Sequence, residues 1–158
     1  SRYYILRTSW VYGDGANFIK TMLRLASERD VLKVVNDQFG VPTPATWLAK
    51  LAQLLVQYPP ESGIYHAVPN GQTNWHQLAV LAIQTARSFG HPIQVTDENV
   101  LAIAATQNQL PAPRPYNSGL SNDKLQGVLA QLPQPQLIPN WDEEVIYYVD
   151  HLVSFEDV

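Results

Sequence analysis

Two stretches of this sequence hold side chains suited to chemistry. The first is Arg7-Thr8-Ser9-Trp10-Val11-Tyr12-Gly13, where a cation, two hydroxyls and two aromatic rings gather just before the chain breaks at Gly13 and Gly15. Hydroxyls and a guanidinium bond the oxygens of a polar ligand, and rings cover its apolar faces. The second is Arg114, set among Pro111, Pro113 and Pro115. A guanidinium suits a phosphate through paired hydrogen bonds. Each stretch has a plainer account. Aromatic residues after a strand commonly fill a core, and a loop arginine is commonly just solvated.

Other chemistries are missing. No G-x-G-x-x-G turn, P-loop, H-E-x-x-H or G-x-S-x-G occurs. Gly13-Asp14-Gly15 has too few glycines to cradle a pyrophosphate. His66, His76, His91 and His151 lack metal spacing, so no metal site is expected. A tyrosine with a lysine four residues on can protonate a carbonyl, the ammonium lowering the phenol pKa. No tyrosine here has that lysine, so no catalytic residue and no cofactor contact is assigned.

The elements that position these residues follow from periodicity. Tyr3 to Thr8 reads as a buried strand, and ligands of open α/β sheets bind beyond the carboxyl ends of strands. Ile19, Met22, Leu23 and Ala26 make Asn17 to Arg29 an amphipathic helix, capped by Asn17 or Asp14. A short strand over 31–35 follows. Pro42, Pro44 and Gly40 then exclude regular structure, with Thr43 as N-cap and Pro44 as first helical residue. A helix over 45–57 carries Leu48, Leu51, Ala52, Leu55 and Val56 on one stripe. A strand over 64–68, a turn and a helix over 74–89 come next, with Gly90 as a left-handed C-cap. Ile93 to Thr96 reads as a brief strand, and the chain from Leu101 to Asn117 as an irregular loop. A short helix over 121–129 precedes the last helix. Asn140 and Glu143 form a capping box for it, and the tail from Ser154 frays. Alternation of strands and helices predicts an α/β fold with mostly parallel strands.

Bulk properties narrow the partners. A net charge of −4 leaves no basic stripe to neutralise phosphates, so no nucleic-acid partner is expected. The absence of cysteine excludes disulfides, zinc-thiolate sites and thiol nucleophiles within this sequence. No apolar run approaches the roughly 20 residues that cross a bilayer, so no membrane partner is expected and the cytoplasm is the default. The 158 residues fit one domain, yet the chain enters a strand at once. It reads as a piece of a longer protein.

Several blocks, in order, resemble the dTDP-4-dehydrorhamnose reductases, extended short-chain dehydrogenases/reductases of the rhamnose pathway. They are Arg7 to Gly13, Asn17-Phe18, Thr21 to Ala26, Asn36 to Thr43, Gly63 to His66 and Arg114 to Ser118. The resemblance runs from Tyr3 to about Leu152 and covers the C-terminal portion of the family. It implies a single fragment over 1–158, the last part of a Rossmann-like parallel sheet interleaved with a small sugar-nucleotide-binding α+β lobe. The N-terminal cofactor-binding half would be absent. The parent reaction it implies is reduction of dTDP-4-dehydrorhamnose to dTDP-rhamnose with NADPH or NADH, which this chain alone would neither bind nor use. A dTDP-sugar is the implied partner. The residues carried over as substrate-binding are Trp10, against the sugar ring, Asn17 and Gln38, facing the nucleotide sugar, and Arg114, toward the diphosphate. Where the family usually reads Asn-Ser-Arg-Leu, this chain has Asn117-Ser118-Gly119-Leu120, which removes a second cation. Two alternatives stand beside this reading: a non-enzymatic reductase-like regulatory subunit, and a fragment of a related sugar-nucleotide reductase or epimerase. A half-sheet exposes edges and apolar faces, so self-association is expected.

Overall fold

The computed structural model describes residues 2–107 and 114–152. The expectations for Pro111, Pro113 and the tail from Ser154 lie outside the described residues. Strand β1 (Tyr4–Arg7) leads through a bend to β2 (Val11–Tyr12) and helix α1 (Phe18–Glu28). Next come β3 (Leu32–Val35), β4 (Phe39–Gly40), β5 (Thr43–Pro44) and α2 (Ala45–Gln57). Then follow β6 (Gly63–His66), β7 (Thr73–Asn74), α3 (Trp75–Ser88) and β8 (Val100–Ile103). Helices α4 (Asp123–Ala130) and α5 (Trp141–Asp150) complete the chain.

The strands pair two by two. β1 with β6, β2 with β5 and β3 with β8 are parallel, while β4 with β7 is antiparallel. The expected α/β class with parallel strands is what forms.

Two cores result. α1, α3 and α5 pack against β3 and β8 through Ile19, Leu23, Leu78, Ile83, Val145 and Val149. The second core joins α2 and α4 to β1 and β6 through Leu51, Leu55, Tyr65, Leu125 and Leu129. The short ladders of β2, β4, β5 and β7 connect them.

Local chemistry explains several boundaries. The Asn17 side chain accepts from the Lys20 N–H and caps α1, as expected of an asparagine at that position. Gly90 adopts φ +85°. There the Gly90 and His91 N–H groups close the end of α3 on the carbonyls of Arg87 and Ala86.

Other boundaries differ from expectation. Thr43 is fully buried and its hydroxyl donates to the Val41 carbonyl, so Pro44 takes the N-cap position and α2 starts at Ala45. The segment around it holds two short strands: the Phe39 N–H donates to the Tyr116 carbonyl in one and the Thr43 N–H to the Trp10 carbonyl in the other, where Pro44, lacking an N–H, ends the ladder. Val56, placed on the apolar stripe of α2, is 76% exposed. Residues 93–96 form no strand. The Gln94 and Val95 N–H groups both donate to the Ala26 carbonyl, and Val95 plugs the first core instead. The strand lies further on, at β8, within the stretch read as irregular. The capping box of α5 is also absent. Asn140 makes no side-chain cap, because it bridges Asn70 through the backbone, and the Glu143 N–H takes the Asp142 carboxylate.

Candidate functional site

A cleft of about 580 Å³ opens beside the first core, lined by the bend after β1, by α1, by β3 and the turn after it, by the start of α3 and by residues 114–118. Its apolar wall is Trp10, Phe18, Met22, Val34, Val35 and Trp75; its polar rim is Lys33, Gln38, Arg114 and Ser118.

Trp10 reaches this wall by a bend after β1. Its backbone sits at φ +38°, the only positive φ of a non-glycine residue among those described. Such a conformation costs about 1–3 kcal/mol and persists only where surroundings over-determine it. Here they do. The buried Ser9 hydroxyl accepts from the Val41 N–H, and the Trp10 carbonyl accepts from the Thr43 N–H.

The indole is then held on both faces. A Cβ on Gly40 would lie 2.4 Å from Trp10 Cε2, 2.7 Å from Cζ2 and 2.8 Å from Cδ2. Cζ2 and the inner ring-fusion atom Cδ2, two of the three atoms bonded to Cε2, are barely more distant than Cε2 itself, so Gly40 lies over the ring and not beside it. Trp75 stacks on Trp10 with ring centroids 3.6 Å apart and planes 15° from parallel. Steric exclusion places it on the opposite face. Phe18 leans on Trp75 at 4.6 Å and 50°.

β4 brings the rim into place. The Phe39 N–H donates to the Tyr116 carbonyl, and the Ser118 N–H donates to the Phe39 carbonyl. This pairing carries Arg114 and Ser118 to the cleft, beside Gln38. Asn117 accepts at Oδ1 from the Gly119 N–H at 2.8 Å and from Gln72 Nε2 at 3.0 Å. A Cβ at Gly119 would meet those same two amides at 2.9 and 3.0 Å. Glycine therefore fits this junction closely. The cleft still has a second cation, since Lys33 of β3 lines it.

Of the four residues singled out from sequence, Trp10, Gln38 and Arg114 line one cleft. Asn17 does not. Its Nδ2 lies 2.9, 3.0 and 2.9 Å from the Gly13 and Gly15 carbonyls and the Tyr148 hydroxyl, and its two hydrogens are shared among these three acceptors. Its Oδ1 is engaged by Lys20. Both polar atoms of the Asn17 side chain thus serve the fold, because the cap position points it back at its own turn. Trp75, Phe18 and Lys33 escaped sequence reasoning. Trp75 is the first residue of α3, and nothing local marks its ring as facing Trp10.

Ionisable groups near Tyr12 belong to packing. Burial is the main cause that pushes the Tyr12, Tyr148 and Glu144 pKa values above their ordinary range. Tyr12 and Tyr148 meet edge to face at 4.9 Å, and none of the three lines the cleft. His66, His76 and His151 each place a ring nitrogen 2.7–2.8 Å from a backbone carbonyl, which requires an N–H there. No group of three side chains able to hold a metal occurs among the described residues.

Comparison with known proteins agrees with this geometry. A family model described as the RmlD substrate binding domain matches residues 1–153. The dTDP-4-dehydrorhamnose reductase of Escherichia coli K12 is 42% identical over 159 aligned positions, covering 98% of this chain and 51% of that protein. Among solved structures, a dTDP-4-dehydrorhamnose reductase from Clostridium acetobutylicum superposes with TM-score 0.78 at 32% identity, over 96% of this chain and 49% of that one. The Bacillus anthracis enzyme, solved with NADP, gives TM-score 0.76 at 30% identity, over 94% and 48%. The chain spans about half the length of the relatives it matches.

Proposed function

The chain belongs to the RmlD substrate binding domain family, and from that premise we propose that it is the sugar-nucleotide-binding part of a dTDP-4-dehydrorhamnose reductase. The whole enzyme would reduce the 4-keto group of dTDP-4-dehydrorhamnose, taking a hydride from NADPH or NADH and a proton from an acid. The cleft supports this reading best. It joins an aromatic wall to a rim bearing Arg114 and Lys33, which is the chemistry a sugar diphosphate needs. In this reading Trp10 meets the sugar, Gln38 bonds the nucleotide sugar and Arg114 holds the diphosphate. Asn17 serves the site indirectly, by fixing Gly13 and the start of α1.

We place the chain as the C-terminal portion of the parent, a single unit over 1–158. The support is internal: neither a glycine-rich cofactor turn nor a Tyr-x-x-x-Lys pair occurs in its sequence. The full reading frame checks this, and an in-frame cofactor turn downstream would overturn it. The chain alone then oxidises no NADPH in the presence of a 4-keto sugar nucleotide. We assign it to the cytoplasm, where nucleotide sugars and NADPH are at hand; no helix among the described residues is long and apolar enough to cross a membrane.

An apolar surface supports self-association. Ile5 and Ile64 are register partners on β1 and β6, 49% and 40% exposed, and Tyr3 beside them is 56% exposed. In the parent the remaining half would cover this face; alone, a second copy would. A monodisperse monomer in light scattering argues against it.

Calorimetric titration with dTDP, UDP and GDP tests the site. Preferential dTDP binding is expected. Preference for UDP or GDP would replace the substrate with that of a related reductase or epimerase, and no binding at all would overturn the reading.

A further inference from the structure

The stacked pair in the cleft offers a ligand something other than a ring face. Gly40 and Trp75 close the two faces of the Trp10 indole, and Trp10 and Phe18 pack on Trp75. Trp10 and Trp75 both line the cleft, and the faces of Trp10 are closed to a ligand, which leaves it the rim of that ring. Neither indole N–H has a hydrogen-bond partner among the described residues. Neither is buried, since the Tyr12 hydroxyl is the only buried, unpartnered side-chain polar atom among them. Among the described residues, two N–H donors without acceptors therefore lie unburied on rings that line one wall.

We propose that Trp75 is a second ligand-contacting residue, and that Trp10 and Trp75 present their indole N–H groups to ligand oxygens. This rests on the reading that the cleft takes a nucleotide sugar, whose hydroxyls, keto group and diphosphate are all acceptors. An indole N–H donates and never accepts. The pair therefore selects oxygen-bearing groups and leaves apolar C–H faces to Met22 and Val34. Trp75 has a further part as a positioning residue. With Gly40 it clamps Trp10, so the strained backbone of Trp10 delivers its rim in one orientation.

The test uses the 158-residue chain with dTDP-glucose as probe. In 1H–15N spectra, the indole resonances of Trp10 and Trp75 shift on titration together with the Gln38 and Ser118 amides, while Trp47 and Trp141 stay put. Trp75→Phe and Trp10→Phe keep an aromatic ring and remove the donor. Each is expected to weaken binding about 3- to 10-fold, the worth of one hydrogen bond. Trp141→Phe, outside the cleft, binds as the parent chain does. A Trp75→Phe chain of unchanged melting temperature and weaker binding separates contact from mere packing. The proposal is overturned if the Gln38 and Ser118 amides shift while the two indoles do not, or if both Phe variants bind normally. Those results leave the nucleotide-sugar reading intact. No shift of any cleft resonance would overturn that reading, and this proposal with it. Should a Phe variant fail to fold, the titration of the unaltered chain still decides.

Discussion

Gly40 lies directly over Cε2 of Trp10, with no room between them for a methyl group. This contact sets the orientation of the cleft wall. Gly40→Ala forces either the indole or β4 to move. Overpacking of this kind costs about 1–3 kcal/mol. Urea denaturation should show that loss, and calorimetry should show weaker dTDP binding, because the displaced indole no longer matches Trp75. An alanine variant with parental stability and affinity would mean that the wall yields freely.

Arg114 carries the diphosphate in the proposed site. Arg114→Ala should weaken dTDP about tenfold, near 1.4 kcal/mol, and leave thymidine affinity unchanged. The contrast between the two ligands is the measurement. Equal losses for both would place Arg114 away from the phosphates.

Asn17 holds α1 to the Gly13 turn and to Tyr148 of α5. Asn17→Ala removes a cap and both N–H donors of Nδ2 together, so it should cost about 2–3 kcal/mol. Asn17→Asp keeps the cap acceptor and loses the donor, and should fall between. Folded Asn17→Asp protein is expected to bind dTDP with near-parental affinity. A large affinity loss without a stability loss would return Asn17 to the ligand.

Tyr12 is 5% exposed and its hydroxyl has no partner among the described residues. Tyr12→Phe removes an unsatisfied group and keeps the ring against Tyr148. Thermal unfolding should show unchanged or higher stability, by up to about 1 kcal/mol. A drop of that size would reveal a hydrogen bond to water at that hydroxyl.

Asp97 ties the segment before β8 to α3. Hydrogen bonds from Arg87 and then Gln84 hold its pKa below the ordinary aspartate value. A carboxylate with a depressed folded pKa stabilises above its unfolded pKa. That contribution fades as pH falls through the folded value. Asp97→Asn should therefore lower stability at pH 7 and flatten the acid limb below about pH 4. Both side chains of the ion pair are more than a third exposed, so the effect stays within about 1 kcal/mol. An unchanged acid limb would show that the pair contributes nothing.

How much of this was legible in sequence depended on distance along the chain. The α1 cap, expected at Asn17 or Asp14 and found at Asn17, Gly90 as a C-cap and the stripe of α1 depend on neighbours within a turn or two, and the structure has each of them. β8 was missed, and 93–96 taken in its place, because β8 exists only through its ladder with β3, more than sixty residues earlier. Val95 mimics a strand residue while packing under α1. The expected capping box of α5 failed for the same reason: a remote backbone partner, Asn70, claimed Asn140.

Composition, periodicity and short motifs suffice for the α/β class, the helices, the family blocks and the chemical character of Trp10, Gln38 and Arg114. Tertiary structure decided which of those residues meet. It turned Asn17 inward, brought Lys33 to the same cleft as Arg114, and set Trp75 and Gly40 on the two faces of Trp10. Residue types and short-range periodicity are written along the chain. Ring stacking, steric contact over a glycine and two-residue ladders arise only when distant segments pack together, and no local pattern encodes them.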